Sequence, residues 1–123
     1  SCFRCVAGHL RPGGRFVLEC FFPDLSRFQR GQATLTHRVD AEAVQLETTL
    51  HDPVAQRSRS QLITITEAGV RMHPGQIRYA WPSEMDLMAR LAGLELEARW
   101  GGGNPEPFTR QSLSHVSVYR RPD

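Results

Sequence analysis

The stretch LRPGGRFVLECFFP, residues 10–23, limits the fold more than any other part of the chain. A Pro-Gly-Gly turn opens it, and residues 15–22 then form a strand that is almost wholly apolar, with Glu19 as its lone carboxylate. A small sheet usually keeps one side wet, and its strands alternate. A strand that is apolar on both faces needs a layer above and a layer below, as parallel α/β sheets provide. A chain of 123 residues is one domain's worth or part of a larger domain. The strand therefore points to an α/β sheet most of which lies outside this sequence.

The surrounding segments give two different periodicities. Residues 2–10 place Phe3, Val6, Ala7 and Leu10 at helical spacing, and Pro12-Gly13-Gly14 ends that helix. From residue 33 the pattern changes to strict alternation. Ala33, Leu35, His37 and Val39 oppose Thr34, Thr36 and Arg38, and Val44, Leu46, Thr48 and Leu50 oppose Gln45, Glu47 and Thr49. With strands over 56–66 and 70–81, and turns at Asp52-Pro53 and Ala68-Gly69, this predicts a four-strand antiparallel meander with one wet face. A helix follows, with Ser83 as N-cap, Glu84 and Asp86 in the first turn, and Gly93 as terminator. Its buried stripe is expected to be Met85, Met88, Leu91 and Ala92, widened by Leu87. Strand 94–100 sets Leu94, Leu96, Ala98 and Trp100 against a charged row of Glu95, Glu97 and Arg99, which suits an outermost strand. The loop GGGNPEP and a last strand, 113–120, complete the chain.

Composition excludes some chemistry. All fifteen basic residues are arginine, so lysine Schiff bases and P-loop phosphate binding are ruled out within this chain. A net charge of +2 gives no argument for nucleic acid. Three cysteines, an odd number, suggest no disulfide framework and a reducing cytoplasm. No apolar run reaches the roughly eighteen residues of a membrane span, and residues 1–10 lack the apolar region of a signal peptide. The start at Ser1, inside what reads as a helix end, fits a processed or excised piece.

Several residues are candidates for function. Cys2-x-x-Cys5 with His9 supplies three potential zinc ligands, but a structural site needs four and no second pair has suitable spacing, so no metal is expected. Glu19 inside an apolar strand either faces a substrate near the strand ends or pairs with a neighbouring strand. His37, on the apolar face between Leu35 and Val39, is either a general base or a satisfied interior side chain. His51, His73 and His115 rank below it. Tyr79 and Trp81 share a face, with Arg78 opposite, and either line a pocket or anchor the meander to the helix. Arg57, Arg59, Arg71 and Arg78 offer either a basic face for an acidic substrate or a solvated strand face.

The order of these segments carries a resemblance. A helix end, LRPGGRFVLE, an insertion, RYAWPSEMDLMARLAGLELEARWGG and a final SVYR strand together resemble the C-terminal half of class I S-adenosylmethionine-dependent methyltransferases, the small-molecule type of GC-rich bacteria above all. The resemblance implies an α/β fold: the C-terminal part of a Rossmann-like sheet, strands five, six and seven, with the seventh antiparallel between the other two and an inserted antiparallel β meander. Residues 1–31 and 82–123 would belong to the core, and 32–81 to an insertion for acceptor binding or dimerisation. It implies a small-molecule methyl acceptor contacted by Glu19, Arg78, Tyr79 and Trp81, with His37 as base. It also implies S-adenosylmethionine as cofactor of the full-length protein only. The family holds that cofactor with a glycine-rich loop after the first strand and an acid after the second. Gly13-Gly14 precede a strand and Gly101-Gly102-Gly103 follow one, and neither run opens a helix. Cofactor binding and activity are thus not expected of this chain alone. The alternative is a non-catalytic α+β binding or dimerisation module. On either reading, a sheet edge without its neighbour, or the meander, should promote homo-oligomers.

Overall fold

The structure is a computed structural model that describes residues 2–102 and 105–123. Ser1 and, within the Gly/Pro loop, Gly103 and Asn104 lie outside the described residues. The chain forms two compact units, one running up to Asp24 and resuming at Ala80–Asp123, the other Leu25–Tyr79. Among the described residues no helix is long and apolar enough to cross a membrane.

The first unit contains helix α1 (Cys2–His9), strand β1 (Arg15–Phe21), and, after the second unit, helix α2 (Pro82–Leu91) with strands β6 (Glu95–Trp100) and β7 (Ser114–Arg120). Its sheet has the order β1-β7-β6, and β7 runs antiparallel to both neighbours. The core is Phe3, Met85, Ala89, Leu94 and Tyr119, packed against Phe16, Leu18 and Cys20 of β1. Phe3 meets Phe16 and Tyr119 edge-on at 5.9 and 5.4 Å, a favoured aromatic geometry. Both helices therefore cover the same face of the sheet. The opposite face of β1 is open, with Val17 61% and Phe21 47% exposed. The strand that reads in sequence as sandwiched is, in this chain, an edge strand covered on one side only, because both helices lie on that side.

Helix α2 starts earlier than its sequence implies. The N-cap is Trp81, not Ser83. Pro82 occupies the first helical position, where its fixed φ and missing N–H cost nothing, and Glu84 accepts a hydrogen bond from the Trp81 backbone N–H at 2.9 Å. At the other end Gly93 adopts φ +82°, and the Leu94 N–H reaches back to the Ala89 carbonyl at 2.8 Å, a Schellman-type closure that carries Leu94 into the core. The buried stripe is Pro82, Met85 and Ala89. Leu87 and Leu91, expected inside, are 58% and 84% exposed.

The second unit is a four-stranded antiparallel sheet in chain order, β2 (Gln32–Val39), β3 (Ala43–Asp52), β4 (Arg57–Thr66) and β5 (Gly69–Arg78). Residues 25–31 join this unit and not the first. The Gly31 carbonyl accepts a hydrogen bond from the His51 N–H at 2.7 Å, and Phe28 stacks on the His51 ring at 4.7 Å. The strand register fixes which side chains share a face. Gln32, Leu50, Arg59 and Gln76 form one row across all four strands, and Thr34, Thr48, Gln61 and Pro74 form another.

Candidate functional site

The polar centre of the first unit begins with a bulge. The β6–β7 register slips between Leu96 and Ala98. Period-2 counting places Arg99 in an outward row with Glu95 and Glu97, but the extra residue turns Arg99 onto the helix-covered face, opposite Ser117. There it binds Asp86 of α2 through both carboxylate oxygens, at 2.5 and 3.2 Å. Tyr119 donates its hydroxyl to the same carboxylate at 2.7 Å, and Arg99 Nε donates to Ser117 Oγ at 2.8 Å. Asp86, read in sequence as a helix-dipole charge, is the acceptor at the centre of this network.

Ser117 passes the network on to His115, whose Nδ1 lies 2.8 Å from the serine oxygen. The serine oxygen, which also accepts from Arg99, retains both a second lone pair and its proton, so it matches either imidazole tautomer at Nδ1. His115 is fully buried, and Nε2 has no hydrogen-bond partner among the described residues. Phe108 stands edge-on to the ring at 5.7 Å, next to Phe22, which in turn meets Trp81. The result is a hydrogen-bonded chain ending in aromatic rings from the residue after β1, the β6–β7 loop and the head of α2.

Electrostatics follow from this geometry. Burial pushes the Asp86 carboxyl up, but the hydrogen bonds from Arg99 and Tyr119 outweigh it and hold the group below the usual carboxylate range. Burial works against the Arg99 charge as well, and the Asp86 carboxylate more than restores it. Burial, then the charge of Arg99, push His115 down and keep it neutral. Burial, then its hydrogen bond to Asp86, push the Tyr119 hydroxyl far up.

The residues singled out in sequence are dispersed. Glu19 is exposed on the open face of β1, with no hydrogen bond or ion pair of its side chain among the described residues, so the argument from its burial fails. His37 sits at a β2 bulge and is exposed, its Nε2 3.2 Å from Glu47. The face that reads as interior is open there, with Leu35 and Val39 51% and 71% exposed. Tyr79 is buried in the second unit and shares a 2.7 Å hydrogen bond with His51. Arg78 is exposed at the end of β5. Trp81 belongs to the first unit. Cys2 and Cys5 are exposed on α1, and His9 donates to the Cys5 carbonyl at 2.7 Å. Among the described residues no group of three or more His, Cys, Asp or Glu is arranged to hold a metal. What sequence reading missed is the Asp86–Arg99–Tyr119 network, and His115, which it ranked below His37, is the histidine joined to that network through Ser117. The detectable signal was a polar His-x-Ser inside the otherwise apolar last strand.

A nucleotide-type cofactor needs glycines between a strand and the helix that follows it. The strand-to-helix junction here, β5 to α2, is Tyr79-Ala80-Trp81. Gly13, with φ +78°, leads into β1, and Gly101 and Gly102 follow β6, whose next element is a strand. Among the described residues no glycine lies between a strand and the helix that follows it.

No family model matches the chain. It is 31% identical over 121 residues to the cypemycin N-terminal methyltransferase of a Streptomyces species, which accounts for 96% of this chain and 49% of that protein. Its structure is similar to that of the CcbJ methyltransferase from Streptomyces caelestis, with TM-score 0.86 and 41% identity over 98% of this chain and 51% of that one. A S-adenosylmethionine-dependent methyltransferase from Clostridium acetobutylicum shares the fold at TM-score 0.73 and 10% identity, over 98% of this chain and 50% of its own. The chain thus spans about half the length of the relatives it matches.

Proposed function

From a chain whose sequence and fold resemble the C-terminal half of a class I S-adenosylmethionine-dependent methyltransferase, we propose that the full-length protein transfers a methyl group from S-adenosylmethionine to a small molecule. The observation that carries this reading is the match to CcbJ over 98% of the chain at 41% identity. The order β1-β7-β6, with β7 antiparallel between two strands that are parallel to each other, supports reading them as the fifth, seventh and sixth strands of the family sheet. The second unit is then the family's insertion.

The chain alone is inactive on this reading, because it brings no glycine-lined junction for the cofactor. Arg78, Tyr79 and Trp81 remain proposed acceptor contacts. His37, oriented by Glu47, is the proposed proton acceptor. The cypemycin enzyme carries an N-terminus in its name, which makes an amine the first acceptor class to assay. The test is transfer of a labelled methyl group from S-adenosylmethionine to amine acceptors by the full-length protein. Labelled product supports the reading. The absence of a glycine junction favours one alternative, a non-catalytic binding or dimerisation module, and failure of the full-length protein to bind S-adenosylhomocysteine would establish it.

A further inference from the structure

The second unit contains an arrangement that its fold does not explain. Arg57 stands directly opposite Arg78 across the β4–β5 ladder, and Arg59, on the same face, belongs to the next row. Like charges directly opposite on neighbouring strands are destabilising. Of the four arginines that read as a basic face, these three share one side of the sheet, and Arg71 lies on the other. None of the three guanidiniums makes a hydrogen bond or ion pair among the described residues. Asp52, which flanks Arg57 on β3, is engaged instead by the backbone N–H groups of Val54 and Ala55, at 2.9 and 3.2 Å.

This face is hollow beside the arginines. A cleft of about 720 Å³ spans all four strands, within the usual range for small-molecule sites. Its floor is the row Gln32, Leu50, Arg59, Gln76 and the row Thr34, Thr48, Gln61, Pro74. The intervening row points to the other face and includes Gly75, which adds no side chain. Among the described residues, none that lines the cleft is acidic. Gln61 Oε1 is buried there without a hydrogen-bond partner among the described residues, and a buried acceptor left unpaired is costly.

We propose that this cleft is a binding site for a small organic anion carrying hydroxyl groups. Arg57, Arg59 and Arg78 hold the anionic group, and the amides and threonine hydroxyls engage its hydroxyls, one of which donates to Gln61 Oε1. The anion cancels the repulsion between Arg57 and Arg78 and satisfies the orphaned oxygen. The binding stands apart from the methyltransferase reading, since it needs neither the cofactor nor the rest of the sheet. It becomes an anchor for the methyl acceptor only if that reading also holds.

The test is a titration of the ¹⁵N-labelled chain with sodium gluconate, a carboxylate with hydroxyls, against sorbitol, its neutral counterpart. Gluconate is expected to shift the amide signals of Thr48, Arg59, Gln61 and Gln76, and sorbitol to leave them in place. Arg57→Gln should weaken gluconate binding by about fivefold or more while raising the melting temperature of the free chain, because it removes a like-charge pair. Arg78→Gln, on the other side of the pair, should do the same. Equal shifts with sorbitol, no shifts with gluconate, or a lowered melting temperature in both variants would overturn the proposal. So would shifts of these signals with protein concentration alone, which would mean that a second copy covers the cleft.

Discussion

Arg99 holds Asp86 through both carboxylate oxygens, bridging β6 and α2, and Tyr119 adds a third hydrogen bond to the same carboxylate. The pair is mostly out of water, its side chains 14% and 23% exposed. Removing one partner strands the other. Asp86→Ala is expected to cost about 2 kcal/mol in urea denaturation, the low side for a buried pair because the carboxylate keeps some contact with solvent. The double variant Asp86→Leu with Arg99→Met should recover part of that loss, since two apolar side chains leave no uncompensated charge. A double variant as unstable as the sum of the two single ones would contradict the pairing.

Acid should destabilise the first unit in two steps. His115 is held below its ordinary pKa of 6.5 by burial and by Arg99. Its contribution is therefore complete above about pH 6.5, where the unfolded histidine is also neutral, and is lost as the pH falls toward its folded pKa. Asp86 is likewise held below the usual carboxylate range, and its contribution goes only under acid conditions below about pH 4. Unfolding free energy measured across pH 3–8 should show both steps, and His115→Gln should abolish the upper one while leaving the lower. An upper step that persists in His115→Gln would assign it elsewhere.

Leu94 and Leu91, three residues apart, should respond very differently to truncation. Leu94 is 1% exposed and packs in the core, and Leu91 is 84% exposed. Leu94→Ala is expected to cost about 2–5 kcal/mol, and Leu91→Ala to stay within about 0.5 kcal/mol of the parent. The sequence placed both on apolar faces, and only Leu91 departs from that expectation.

The open face and free edge of β1 should make the isolated chain self-associate. Val17 and Phe21 are exposed on an edge strand, and such edges pair with other chains. Light scattering over a concentration series should show growing mass, and Val17→Lys should reduce it. A monodisperse monomer at high concentration would contradict the expectation.

The sequence revealed local structure better than the site. The Pro-Gly-Gly turn and Pro23 bracket β1, and the alternating residues 33–39 and 44–50 fall within β2 and β3. These signals are written into neighbouring residues. The polar network is not, because Asp86 lies 13 residues from Arg99 and 33 from Tyr119, and one bulge between Leu96 and Ala98 decides which face Arg99 takes. Counting by twos cannot detect an inserted residue. His37 illustrates the opposite error: an apolar alternation around it suggested burial, but β2 is an exposed strand with its own bulge at that position.

The central claim is that this chain is half of a S-adenosylmethionine-binding fold, and calorimetry with S-adenosylhomocysteine tests it most directly. The ligand should bind the full-length protein with one-to-one stoichiometry and leave this chain alone without detectable heat. Binding by neither would contradict the account, and saturable binding by this chain alone would show that the cofactor site does not lie in the other half.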